Sequence, residues 1–540
     1  MIINPILPGF NADPSIIRVG DDYYIAVSTF EWYPGVQIHH SKDLVNWEII
    51  TRPLRRKSQL DMRGNPDSCG VWAPCLSYAD GKFWLVYTDV KRYDGNFKDT
   101  HNYIVTCETI EGEWSDPIYC NSSGFDPSLF HDDDGKKWFM NMQWRHDTDS
   151  IGGSPTGTAF DGILLQEFDA EQGKLVGDIN NVFAGSAHKL VEAPHIFKKH
   201  GYYYMTTAEG GTGYNHVVTM ARSRNINGPY ELHPNNHLMT GKDAPLNAIQ
   251  RAGHGQYVET PEGDVYHSHL MSRPLSLVDG ENGYHRSPLG RETGLQKCVW
   301  KDDDWLYLEN GTLIPDVEVA SPDNSIMPHA PQAVHCKFDG DELPIDFQWL
   351  RTPHPERIFE LTGDCLRLIG RESLGSYFEQ ALVARRQQHL KFSAQTKLTF
   401  ETETYQQTAG LTHYYNRHKL HFVGVTHDSK YGKILTVMTC PGDYPESQLQ
   451  FPLTKIIPLK GDYVELRADV DHCDLQFYYK MQGETEWTKI GPVLDASVIS
   501  DEGGRGEHAS FTGAFIGMVA FDTSGRGNTA DYEYFNYTPL

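Results

Sequence analysis

A short motif returns five times in the N-terminal part of this chain, each time followed by a turn and an aromatic-rich run. Phe10-Asn11-Ala12-Asp13-Pro14-Ser15-Ile16-Ile17 leads through Asp21-Asp22 into Tyr23-Tyr24-Ile25-Ala26. Val71-Trp72-Ala73-Pro74, Phe125-Asp126-Pro127-Ser128-Leu129-Phe130, Glu192-Ala193-Pro194-His195-Ile196-Phe197 and Gly253-His254-Gly255-Gln256-Tyr257-Val258 lead into their own returning runs. Anchors at 13, 73, 126, 192 and 254 are separated by 60, 53, 66 and 62 residues. Each unit reads as strand, tight turn and returning strand, with no helical period, and so predicts a small antiparallel sheet. Five such sheets set radially make a five-bladed β-propeller, in which the first strand of each blade lines the channel. The anchors then converge at one mouth, and Asp13, Asp126 and Glu192 among them are carboxylates.

The repeats end near residue 318. A Pro-rich stretch without alternation, 319–332, reads as a linker. Residues 333–540 have another texture: Val464, Leu466, Ala468 and Val470 alternate with Glu465, Arg467 and Asp469. Similar runs occur at Leu366-Arg367-Leu368-Ile369, at 397–400 and at 514–521, predicting a two-sheet sandwich. The chain is thus expected to be all-β. Loops such as 63–67 and 149–157 are expected to carry specificity.

A net charge of −25 argues against nucleic acid or an anionic membrane as partner. No apolar run approaches ~18 residues, and the N-terminus shows no basic, then apolar, leader pattern. The nine cysteines are scattered without metal-type spacing and read as reduced thiols, which places the protein in the cytoplasm.

An Asp before Pro is by itself a turn former. Three carboxylates brought together are another matter, because like charges held close raise at least one pKa. Either a hard-cation site or glycoside hydrolysis would use such a set. The aromatics Phe30, Trp32 and Trp72 favour a sugar pocket, with Trp32 itself read as core.

The chain resembles, over essentially its whole length, the glycoside hydrolase family 43 β-xylosidases that carry a C-terminal concanavalin-like sandwich. Besides the anchors, the resemblance rests on Ser28-Thr29-Phe30-Glu31-Trp32-Tyr33-Pro34-Gly35-Val36, Ala208-Glu209-Gly210-Gly211-Thr212, Pro288-Leu289-Gly290-Arg291-Glu292-Thr293 and Phe511-Thr512-Gly513-Ala514-Phe515. It implies exo-acting, inverting hydrolysis of β-1,4-xylo-oligosaccharides, with side activity on α-L-arabinofuranosides. Asp13 is then the general base and Glu192 the general acid, with carboxyls ~6.5–9.5 Å apart. Asp126 is expected to raise the pKa of Glu192 and orient it. Phe30, Trp72, Thr212, His254, Arg291 and Phe511 are expected to hold the sugar, Phe511 reaching over from the sandwich to close the pocket. No cofactor is required, though a Ca²⁺ near His254 is compatible with the resemblance, and a homo-oligomer (dimer or tetramer) is expected. Two positions depart from the commoner pattern: Cys75 follows Trp-Ala-Pro where an acidic residue is usual, and Ala193 replaces a Gly. The rival readings are an α-L-arabinofuranosidase, a retaining fructan-cleaving propeller, and a carbohydrate-binding protein with an inactive propeller.

Overall fold

The computed structural model describes residues 1–93, 97–146, 159–442, 448–504 and 510–540, and the loop 149–157 lies outside them. Five antiparallel sheets follow one another. They begin with the inner strands Ser15–Val19, Gly70–Ala79, Ser128–His131, Glu192–Lys199 and Gln250–Gly253. Along each inner strand the backbone turns through the left-handed region: just before the strand at Asp13 (φ 58°) and Asp126 (54°), within it at Ala73 (37°) and Ala193 (54°), and just after it at His254 (38°). Four of these five residues precede a proline. A non-glycine residue there costs about 1 kcal/mol or more. The cost recurs in all five blades because the kink re-aims side chains from the sheet into the channel. Pairing slips around the kink between Trp72 and Cys75 and between Glu192 and His195, and just ahead of it between Gln250 and Gly253.

The backbone register corrects one expectation. The residue of blade four equivalent to Asp13 and Asp126 is Ala193, and Glu192 stands one position earlier, level with Trp72 and Phe125. The serines of the Asp-Pro-Ser motifs stitch neighbouring inner strands together. Ser15 Oγ accepts from Leu76 N at 2.9 Å and donates to Gln256 Oε1 at 2.8 Å, and Ser128 Oγ donates to the Pro194 carbonyl at 2.5 Å. The ring closes where Ile2–Ile3 pairs with Glu318–Val319 and Asn4 exchanges hydrogen bonds with Leu295.

The second domain is a sandwich of two eight-stranded sheets. The alternating strand Tyr463–Asp471 buries Val464, Leu466, Ala468 and Val470 as its pattern requires. One edge of the sheet facing the propeller is completed by the propeller itself: Trp32–Tyr33 pairs with Phe347–Leu350. Trp32 is core, as read, but core shared between domains, since its indole stacks on Phe515 with centroids 3.7 Å apart and planes at 10°. Gly290, at φ 70°, lets the two backbones touch; a Cβ there would meet the Thr512 carbonyl at 2.0 Å.

Candidate active site

The channel mouth opens into a cavity of about 200 Å³. All nine residues singled out in the sequence line it: Asp13, Phe30, Trp72, Asp126, Glu192, Thr212, His254, Arg291 and Phe511. The volume lies below the ~300–1,000 Å³ of drug-sized sites, enough for one small sugar unit rather than a stretch of polymer.

Asp13 is the most heavily tethered. Ser28 Oγ donates to its Oδ2 at 2.6 Å and itself accepts from Ala73 N at 2.8 Å, tying the first blade to the second. Arg291 Nη1 donates to Oδ1 at 3.1 Å, and His254 Nδ1 lies 3.6 Å from the same oxygen. Burial alone would push this carboxyl up. The Arg291 guanidinium, His254 and the Ser28 hydroxyl outweigh it and hold Asp13 below the usual aspartate range. The guanidinium is itself fixed, donating to Thr212 Oγ1 at 3.1 Å and to the Phe511 carbonyl from Nη2 at 2.8 Å.

Asp126 and Glu192 behave oppositely. Glu192 is enclosed by protein while keeping part of its surface on the cavity. Burial first, and the Asp13 anion second, push it up to about 8, with Arg291 pulling the other way. Asp126 is raised well above its ordinary range by burial and then by Glu192 and Asp13, although the Ala193 N–H favours its anion. Besides the dry surroundings and Asp13, the Asp126 carboxyl faces Glu192, and because repulsion between two carboxylates acts on both, the two titrate as a pair.

His254 is pushed down to about 4 by burial and is neutral at physiological pH. Around it stand one carboxylate, Asp13, and the rings of His195 and His216. A Ca²⁺ ion draws six to eight oxygens, and among the described residues no three His, Cys, Asp or Glu side chains converge as a metal site.

The apolar wall is built from both domains. Phe511 of the sandwich lies 5.9 Å from Trp72, 6.4 Å from Phe30 and 5.4 Å from Tyr93, centroid to centroid. Its amide is pinned by Ser68 Oγ at 3.0 Å. Sequence reasoning missed Tyr93, Lys98, Trp144, Phe160 and His216, which also line the cavity. All but His216 sit at strand ends of blades two and three, where the repeat has no constant residue; the available signal was an excess of aromatics there. Lys98 Nζ rests over the Trp144 ring at 4.2 Å.

One carboxylate held ionised beside a pair of carboxyls with raised proton affinity, around an enclosed, aromatic-walled cavity, is the equipment for cleaving a glycosidic bond, and the geometry places the protein among the glycoside hydrolases. Residues 2–306 match the profile of glycosyl hydrolases family 43, and 335–538 that of the β-xylosidase C-terminal concanavalin A-like domain. A xylosidase/arabinosidase 43B of Humicola insolens is 55% identical over 99% of this chain and 97% of its own length. A β-xylosidase of Bacillus subtilis is 49% identical over 99% of both. The crystal structure of a xylan β-1,4-xylosidase from Bacillus halodurans superimposes with a TM-score of 0.93 at 46% identity, each chain covered completely. The chain belongs to glycosyl hydrolase family 43.

Proposed function

We propose that the protein is an exo-acting, inverting β-xylosidase that releases xylose from the non-reducing end of β-1,4-xylo-oligosaccharides and also accepts α-L-arabinofuranosides. The observation that carries this reading is the split among the three carboxyls. Asp13 is held ionised by Arg291 while Glu192 retains its proton up to about 8. A base and an acid coexist at neutral pH in one cavity, as inversion in a single displacement requires. Asp13 takes a proton from water as it attacks the anomeric carbon. Glu192 gives its proton to the leaving oxygen. Asp126 positions Glu192 through the kinked backbone at Ala193, whose N–H it accepts. Arg291, fixed at three points, presents its remaining donor capacity to sugar hydroxyls, and the Phe30, Trp72 and Phe511 rings cover the C–H faces.

The roof contributed by Phe511 supports attack at chain ends, and the small cavity supports release of one sugar at a time. Nine reduced thiols, seven of them buried, suit a reducing cytoplasm where imported oligosaccharides would be the substrate.

The test is hydrolysis of p-nitrophenyl β-D-xylopyranoside, followed by proton NMR of xylobiose cleavage. The first signal from the newly formed reducing end should be α-xylose. First-formed β-xylose would overturn the inverting pair, and internal cutting of xylan with early mixed oligomers would overturn exo action.

A further inference from the structure

A second cavity, about 350 Å³, lies between the propeller and the sandwich on the far side of Asn11. Its lining includes Asn11, Gln37 and His39 from the first blade and Arg385, Arg386 and Gln388 from the sandwich; Glu48 and Asp346 are its acidic members. The arginines are unusual. Arg385 and Arg386 are 4% and 5% exposed, and Arg52, 4% exposed, lies just behind Gln37. Among the described residues none of the three makes an ion pair.

Their bonds go to neutral acceptors. Arg52 and Arg386 both donate to Gln37 Oε1, at 3.1 Å from Arg52 Nε and 2.8 Å from Arg386 Nη1, and Arg386 Nε donates to the Phe10 carbonyl at 2.6 Å. Arg385 Nη2 donates to Gln388 Oε1 at 2.7 Å, with its guanidinium over the Tyr537 ring at 4.4 Å. Three buried donor atoms have no acceptor at all: Arg386 Nη2, Arg385 Nε and Arg385 Nη1.

Buried cations without counter-charge cost several kcal/mol each unless something anionic joins them. His39 cannot supply it, being neutral and itself pushed down to about 3 by burial and by Arg386 and Arg52. Burial and the neighbouring guanidinium of Arg52 push Arg386 the same way, and Asp346, which makes no ion pair with it, pulls only weakly against them.

We propose that this interdomain cavity binds a small oxyanion, of the phosphate or sulfate type, between Arg385 and Arg386, with the Asn11 and Gln388 amides beside it. Forked guanidinium donors match tetrahedral and planar oxyanions, and a protein with net charge −25 gathers cations at one enclosed place only where an anion repays their desolvation. The site lies directly behind the catalytic strand. The Phe10 carbonyl that Arg386 holds is three residues from Asp13, and the Phe10 ring packs on Phe30 at 5.7 Å. Bound anion therefore braces the seam between domains under the general base.

Equilibrium dialysis of the full chain against inorganic phosphate at fixed ionic strength tests this, with acetate as the planar comparison. The expected result is saturable binding of one phosphate per chain, weakened at least 10-fold in Arg385→Gln and unchanged in Arg291→Gln. A rise in Tm of about 2 °C at ~10-fold excess over Kd should accompany it. Acetate binding with the same mutational pattern would support the shared oxyanion chemistry and assign the site to carboxylates as well. No saturable binding up to 10 Kd-equivalents of a millimolar site (~10 mM) would overturn the proposal and leave only water in the cavity. Loss in Arg291→Gln with retention in Arg385→Gln would overturn it by moving the anion to the catalytic pocket. Should Arg385→Gln fail to fold, hydrogen exchange of wild-type protein decides: phosphate must slow exchange across 381–388, and no protection there refutes the site.

Discussion

Replacing Arg291 with Gln should move the whole pH–rate bell upward. The guanidinium stands 3.1 Å from Asp13 Oδ1 in a buried site. At an effective dielectric of ~20 that separation corresponds to about 5 kcal/mol of attraction for the anion, or ~4 pH units at 1.36 kcal/mol per unit. His254 and the Ser28 hydroxyl remain, and Gln can still donate, so about half of this should survive as a shift of at least ~1.5 units. The sign follows from the role of the group. Asp13 acts ionised, its folded pKa lies below the ordinary value, and loss of Arg291 raises it, so the acid limb of kcat/KM moves toward neutral pH. Arg291 also lowers Glu192, so the alkaline limb, near 8 in the wild type, should rise as well. The assay is kcat/KM for p-nitrophenyl xyloside across pH 4–10, since this parameter reports the free enzyme. Maximal kcat/KM should fall about 30-fold or more, as for truncating one partner of a buried charged pair. An acid limb that stays in place while the curve merely drops would refute the claim that Arg291 keeps Asp13 ionised, and would make it a substrate contact only.

Glu192→Gln should abolish turnover yet raise Tm at pH 8. The raised folded pKa of Glu192 means its contribution is full below the unfolded value near 4.5 and is lost as pH rises through about 8, so calorimetry should show the variant's advantage, roughly 1–3 kcal/mol, growing from pH 5 to 8. Asp126→Asn should cost kcat about 10²-fold through lost positioning and draw the alkaline limb toward lower pH, because the repulsion that helps Glu192 keep its proton is removed; an alkaline limb that stays in place would take Asp126 out of the tuning of Glu192. Phe511→Ala should raise KM for xylobiose several-fold with kcat nearly unchanged and Tm within a few degrees. Gly290→Ala should lose about 1–3 kcal/mol in urea unfolding and raise KM together, since its Cβ pushes the Thr512 carbonyl and with it Phe511 away from the pocket.

The five blades were legible because each inner strand carries a kinked residue, and in four of them the kink before proline leaves a sequence mark. The site was legible for the same reason, since Asp13 and Asp126 are themselves kink residues. Glu192 was picked out as the anchor of the fourth repeat, one position off the true equivalent, because the repeat fixes the backbone at Ala193 and says nothing about which adjacent side chain carries the acid. Tyr93, Trp144 and Phe160 were lost since strand ends far from the kink have no shared geometry to preserve. The share of burial in the Glu192 shift could not be read either: a sequence shows which charges are near in the repeat, not how dry the space between them is. Nor does a two-residue strand have a periodicity, so Trp32–Tyr33 gave no sign that it pairs outside its own blade.

That borrowed strand bears on how such enzymes can be recombined. A chimera that takes its propeller from one relative and its sandwich from another would naturally be cut in the proline-rich stretch after residue 318. Such a cut separates Trp32 from the Phe515 it stacks on and Tyr33 from the Trp349 it pairs with. The recipient sandwich then meets a foreign edge, and an ill-fitting edge strand is a template for pairing between chains. The segment around residues 30–36 has to travel with the sandwich, although in sequence it lies deep inside the other domain. The natural unit of exchange in this architecture is discontinuous.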